Sequence, residues 1–371
     1  MKNYIPSLNG LRALSIITVI LGHLNVRNFP GIRIPFPLTI FTDSTLGVNV
    51  FFVISGFLIT TLLIEEEKES GSINLKNFYI RRMIRIFPAY YFLLLVYLIL
   101  QLSSVLHFTG RSWLSSLFYY KYLDGGDWES GHFWSLSVEE HFYLVWPLVF
   151  KFWKRGRIYF AYAVVLLVVF FRLNSYMKFL PYQILDSSVS LFQRVDAIMI
   201  GCLLALYRTR INPWVIKISR NGALPILILL AIACLATNFL TDWNLTHHWH
   251  MGLLLVPLGI GWSAGIISNF LIGLLLLVSI NSKGLWFKFL NAPFMNVIGK
   301  LSYSLYLWQQ LFFSDHLGPF SHFPLNLCCI VIAALISYNF IEKPFLKLKK
   351  AYETIRISKT DRLKERLGWQ L

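Results

Sequence analysis

Leu11-Arg12-Ala13-Leu14-Ser15-Ile16-Ile17-Thr18-Val19-Ile20-Leu21-Gly22-His23-Leu24 decides how this chain is read. The run is apolar enough for a membrane helix, yet it carries Arg12 and His23. Hydrocarbon cannot solvate a charge, so an ionisable residue inside a bilayer is costly and marks a functional candidate. Eleven residues at ~100° each make about three turns, so both side chains share one helix face, roughly 16 Å apart along the axis. A fixed cation near one membrane surface and a titratable base deeper inside would then lie on one stripe.

The rest of the chain repeats the pattern. Of 371 residues, 56% are hydrophobic and only 14% charged, against ~25% charged in soluble domains. Mean hydropathy is +0.58. Apolar runs recur from Leu11 to Phe345, which indicates a polytopic, all-α membrane protein rather than a globular domain with an anchor. The first run is too long, and too closely followed by others, for a cleaved signal peptide. Segments of ~20 apolar residues place ten membrane helices near 9–27, 46–64, 84–106, 134–151, 158–174, 187–207, 222–240, 251–280, 297–315 and 324–344. The eighth holds Gly259, Gly261 and Gly265 and is a candidate for a kink or a split.

Loop charges test this layout. With the N-terminus inside, cytoplasmic segments hold 26 of the 34 Lys and Arg, and outer loops hold five. The remaining three, Arg12, Arg172 and Arg194, lie in or at the edge of helices. This asymmetry predicts both termini in the cytoplasm. It also accounts for the net charge of +16 without nucleic acid. Residues 1–346 form the membrane unit, and 347–371 form a basic tail suited to anionic lipid. Cys202, Cys234, Cys328 and Cys329 fall in apolar runs without CxxC spacing, so they read as buried thiols.

Other segments carry candidate chemistry. Arg81, Arg82 and Arg85 open the third helix on its cytoplasmic side, and clustered guanidinium groups suit phosphate. Glu139 and Glu140 follow Trp134 at an outer helix start, where one of them could turn inward to meet His23. The acidic run Glu65 to Glu67, with Glu69, reads as a solvated loop. Ser55 and Gly56 permit close helix packing. Arg194 and Asp196 are two apart, so each is expected to meet a different helix. His247, His248 and His250 lack a further ligand at metal spacing, and no metal site is expected. No phosphate-binding glycine loop and no GxSxG elbow occur.

Taken together, these segments resemble the membrane-bound acyltransferase family 3, whose bacterial members include O-acetyltransferases of polysaccharides and lipopolysaccharide. Arg12 and His23 match its Arg-x10-His motif. Arg81, Arg82 and Arg85 match its RRxxR motif; Trp134-Ser135-Leu136 with Glu139-Glu140 matches its WSL…EE block. Arg194, Asp196 and Gly201 match its RxD-x4-G helix. Two positions depart: Asn49 stands where an acidic residue is common, and Gln309 ends a motif that often reads YLWH. Gln309 therefore reads as positional rather than catalytic. No SGNH-type hydrolase domain is expected after Pro344.

The resemblance implies an inner-membrane O-acyltransferase using acyl-CoA, most often acetyl-CoA, as donor substrate and a glycan or glycolipid hydroxyl as acceptor. His23 would be the general base, with Glu139, or else Glu140, orienting it. Arg12, Arg81, Arg82 and Arg85 would hold the donor phosphates. Trp134, Arg194 and Asp196 would flank the acceptor. An acyl-enzyme route through His23, Ser55 or Ser137 is open. The competing class is a transporter or flippase of a lipid-linked glycan; such proteins often carry internal two-fold repeats, and none is visible here. A scaffold whose polar groups only bind helices together is the third class.

Overall fold

Asp43 starts the second helix by accepting the Leu46 N–H at 3.1 Å, and Gly71 ends it in the left-handed region (φ 72°). Such local signals set the element borders in the computed structural model. It describes residues 5–28, 41–124, 126–177, 189–219 and 265–348, with Leu224, Ile228 and Leu229. The helix expected near 222–240 lies almost wholly outside these residues. So do the first half of that near 251–280, Cys234, the 247–250 histidines and the tail after 348.

The elements in order are α1 (Leu8–Asn28), α2 (Ser44–Ser70), α3 (Leu75–Leu102), α4 (Gly110–Leu117), a 3-10 turn (Lys121–Leu123) and α5 (Trp128–Gly131). Next come α6 (Phe133–Phe152), α7 (Arg157–Met177), α8 (Val189–Leu206), α9 (Arg208–Ser219), α10 (Ile266–Asn281) and α11 (Leu285–Leu290). Last are α12 (Pro293–Phe312), a 3-10 segment (Asp315–Ser321) and α13 (Leu325–Ile336), which continues through a π-helical stretch, Ser337–Glu342. No strand occurs among the described residues. Among the described residues four segments are long and apolar enough to cross a membrane: Leu8–Val26, Ser44–Ser70, Leu75–Leu102 and Leu325–Leu348.

Leu95, Leu98, Ile99, Leu148, Leu166, Ile332 and Phe340 face outward. Asn49, Asp196, Asn269, Ser304 and Gln309 are fully enclosed. An apolar exterior over a polar interior suits lipid rather than water as solvent. Small residues bring the helices together, as lipid-embedded packing requires. A Cβ on Gly56 would collide with the Ile198 carbonyl oxygen of α8, and one on Gly201 with that of Val53 in α2. Gly299 of α12 lies equally close to Asn9 of α1. Asn9 Nδ2 donates to Asn296 Oδ1 at 3.3 Å, and fourteen residues on His23 meets Gln309. Thus α1 and α12 run parallel.

The structure corrects four expectations. Glu65 to Glu69 are the last turns of α2, not a loop. Glutamate is a good helix former, and nothing stops the helix before Gly71. The third helix starts at Leu75 rather than 84, because the Asn74 side chain caps it by accepting the Asn77 N–H at 3.0 Å. The arginine motif therefore sits inside α3. Residues 107–133 are not a plain outer loop but fold onto the bundle. There Lys121, 2% exposed, meets Asp124 at 2.9 Å and Asp127 at 3.7 Å. Of the cysteines, Cys202 is buried but Cys328 is exposed on the apolar exterior.

Candidate functional site

Arg82 and Arg85, three apart on α3, point the same way, and Arg12 of α1 meets them. All three line a cleft between α1, α2, α3, α6 and α12. Its wall includes Ser55, Ser135, Glu139, Glu140, Tyr143 and Tyr306. Among the described residues, none of the three guanidinium groups forms an ion pair. Arg82 instead lies over the rings of Tyr143 (5.2 Å) and Phe78 (5.7 Å). Arg81 points elsewhere, since one residue rotates it ~100° around the helix. Its Nη2 bonds Glu66 Oε2 at 2.9 Å, so it is held by α2 and does not line the cleft.

Glu139 is anchored on the opposite wall. Ser55 Oγ donates to its Oε1 at 2.8 Å, and the Tyr143 hydroxyl donates to its Oε2 at 3.1 Å. Tyr143 follows Glu139 by four residues on α6 and so shares its face. The carboxylate lies within electrostatic reach of Arg12 and Arg82 without an ion pair to either. Glu140 also lines the cleft. Three cations and two carboxylates therefore face one volume, and the excess positive charge is left for a ligand.

His23 sits elsewhere. Its Nδ1 is 3.2 Å from Gln309 Oε1, and the rings of Trp128 (5.9 Å, edge-on) and Phe313 (6.4 Å) flank it. Neither Glu139 nor Glu140 reaches it, contrary to the sequence expectation. The reason is where α6 begins. His132, just before α6, is the residue that packs at this level, its Nε2 3.1 Å from the Leu307 carbonyl. Glu139 is seven residues further on, ~10 Å toward the Arg12 end. With an amide oxygen as partner, Nδ1 carries the proton and Nε2 keeps its lone pair; the bond at one ring nitrogen sets the tautomer.

A family model described as an acyltransferase domain, that of acyltransferase family 3, matches residues 5–338. The chain belongs to that family. It is 29% identical over 376 residues to the O-acetyltransferase OatA of Staphylococcus aureus strains NCTC 8325 and COL, covering 93% of this chain and 57% of theirs. A further S. aureus COL protein, provisionally named an O-acetyltransferase, is 28% identical over 388 residues, 93% of this chain and 58% of its own. The chain thus spans somewhat more than half the length of these relatives. No solved structure matches it significantly. Family membership supports acyl transfer to a hydroxyl.

Arg194 of α8 lies 5.7 Å from the Trp134 ring, which in turn packs edge-on to Phe52. The Asp196 carboxylate is fully buried, bonded to Arg172 at 2.9 Å and to Asn269 at 3.1 Å. Arg194 and Asp196 thus meet different helices, as expected. Sequence reasoning missed Tyr306, whose hydroxyl is 2.5 Å from Ser135 Oγ and 3.1 Å from the His132 carbonyl. This contact joins the cleft wall to the His23 neighbourhood. The signal was present: Ser302, Tyr306 and Gln309 recur at i, i+4 and i+7, one face of α12. Among the described residues no His, Cys, Asp or Glu cluster could hold a metal.

Proposed function

We propose that this chain transfers an acyl group, acetyl above all, from acyl-CoA to a hydroxyl of a glycan or glycolipid at the bacterial inner membrane. One observation carries the reading: three arginines without ion-pair partners among the described residues line a cleft inside the bundle, with His23 roughly 16 Å from Arg12 along α1. Phosphate oxygens of the donor would bind Arg12, Arg82 and Arg85, whose paired donors fit them. That separation matches an extended pantetheine arm, which would run past Tyr306 and bring the thioester to His23.

The chemistry then follows from one imidazole. His23 Nε2 takes the proton of the acceptor hydroxyl as its oxygen attacks the thioester carbonyl carbon. The carbon–sulfur bond breaks, the coenzyme A thiolate leaves, and His23 returns the proton to it. General-base catalysis of this kind contributes about 10²–10⁴-fold. Gln309 replaces Glu139 as the group that orients the ring. Glu139 and Glu140 act at the donor end, where they limit the repulsion among the arginines and, through Ser55 and Tyr143, fix the cleft wall. Ten spans with both termini in the cytoplasm, as the loop charges suggest, would open the arginine end to cytosolic acyl-CoA.

The test is purified protein with radiolabelled acetyl-CoA and a glycan panel. Label is expected in a base-labile ester on the glycan, at a rate that depends on acetyl-CoA. No transfer to any glycan, together with coenzyme-independent passage of labelled glycan across vesicles, would overturn the proposal in favour of a transporter.

A further inference from the structure

The arginine cleft stops about one helical turn short of His23. On α12 its lining ends at Tyr306, and on α6 it ends at Ser135. One turn beyond each of these the neighbourhood of His23 begins: Gln309 meets the imidazole at 3.2 Å, and His132 packs on the Leu307 carbonyl. Two hydroxyl groups span the border. The Tyr306 hydroxyl is 2.5 Å from Ser135 Oγ and 3.1 Å from the His132 carbonyl oxygen. It donates to the carbonyl and accepts from Ser135, so both bonds hold at once. The rings of Phe51 (6.3 Å) and His132 (5.4 Å) pack edge-on to the Tyr306 ring, and both Tyr306 and Ser135 are buried. The bridge thus ties α12 to α6 across the way from the arginines to the imidazole. An acyl group whose phosphates rest on Arg12, Arg82 and Arg85 meets it before it meets His23.

We infer that the Tyr306–Ser135 bridge is a gate: closed, it holds the thioester of bound acyl-CoA in the cleft, and open, it admits the acyl group to His23. This rests on the acyl-transfer reading above. The gate has a chemical purpose. Beside a general base, water competes with the acceptor: its oxygen bonds the thioester carbonyl carbon, the carbon–sulfur bond breaks, and His23 carries the water's proton to the coenzyme A thiolate. Acetate is then lost, and closed sites prevent such side reactions. The strength of the bridge suits a gate. One hydrogen bond shifts an equilibrium about 2- to 12-fold, so the two bonds of the Tyr306 hydroxyl favour the closed form about 5- to 150-fold. Opening is then rare in the resting chain but within thermal reach.

The experiment measures radiolabelled acetate released from acetyl-CoA by the purified full chain with no acceptor present. Tyr306→Phe keeps the ring and removes both bonds, so acetate release should rise about 5- to 150-fold over the wild-type rate. Ser135→Ala leaves Tyr306 on the His132 carbonyl and should raise it about 2- to 12-fold. Adding His23→Ala to Tyr306→Phe should abolish the gain, which shows that the opened way leads to the imidazole. A bridge that only holds the helices together predicts otherwise: a lower Tm in both variants with acetate release unchanged or reduced, and the gate would be refuted. A gain that survives His23→Ala would refute it too. If the wild-type chain acylates a glycan but neither variant releases more acetate, only the gate falls. If the wild-type chain and both variants pass acetyl groups neither to a glycan nor to water, the acyl-transfer reading fails and the gate falls with it.

Discussion

Arg85→Ala is the most informative single substitution at the donor end. Arg85 lines the cleft and forms no ion pair among the described residues, so its removal breaks none, although Glu342 loses a nearby compensating charge. A charge-assisted hydrogen bond contributes about 1.5–3 kcal/mol. If Arg85 gives one to a donor phosphate, the Kd for coenzyme A rises about 10- to 150-fold in the variant. The ligand-free fold should not suffer. Like charges repel, so relief of the repulsion of Arg12 and Arg82 by Arg85 offsets the lost packing of the arginine stem. Isothermal titration in detergent gives the Kd, and a melting curve without ligand gives the Tm. Raising salt should weaken the wild-type chain more than the variant, since fewer charges are then at stake. A Kd within twofold of wild type would refute the phosphate role. A ligand-free Tm lower by many degrees would show that Arg85 holds the bundle together instead.

Three further outcomes follow from the same geometry. His23→Ala should lower kcat/KM by about 10²–10⁴-fold and leave coenzyme A affinity unchanged by titration, because the phosphates bind far from the imidazole. Gly299→Ala places a methyl group against the Asn9 backbone and should cost about 1–3 kcal/mol by overpacking, visible as a lower Tm. Asp124 supplies a pH test outside the spans. Burial alone would raise its carboxyl, but hydrogen bonds from Lys121, Ser115 and Ser112 outweigh this and hold it below the ordinary range. Its contribution is thus complete above the unfolded value, about pH 4, and is lost as pH falls through the lower folded value. The segment from α4 to α5 should become sensitive to pepsin only below that pH, and Asp124→Asn should make it sensitive at every pH where pepsin works.

Helical periodicity made part of the site legible in advance. It placed Arg12 with His23, and Arg82 with Arg85, on common faces, and the structure puts the Arg12, Arg82 and Arg85 side chains into one cleft. Periodicity also separates Arg81 from its neighbours, although the motif alone groups the three. The partner of Glu139 was not legible. Which residue of α1 or α2 it meets depends on the depth at which α6 enters, and that is set by His132 packing on Leu307, a contact 175 positions apart in sequence. Gln309 was read as positional because it departs from the family motif; its bond to His23 gives that reading a mechanism. Buried Lys121 escaped notice because an outer-loop lysine is ordinarily solvated. Asp124 and Asp127, two acidic residues just downstream, were its signal.

The central claim is that one ligand spans from the arginine cleft to His23. A cryo-EM structure of the full chain with a non-hydrolysable acetyl-CoA analogue tests it directly. The account predicts phosphates on Arg12, Arg82 and Arg85, the pantetheine arm beside Tyr306, and the acyl carbon next to His23 Nε2. An analogue bound outside the cleft, or one bound in it with the acyl group at Ser55 and away from His23, would contradict it.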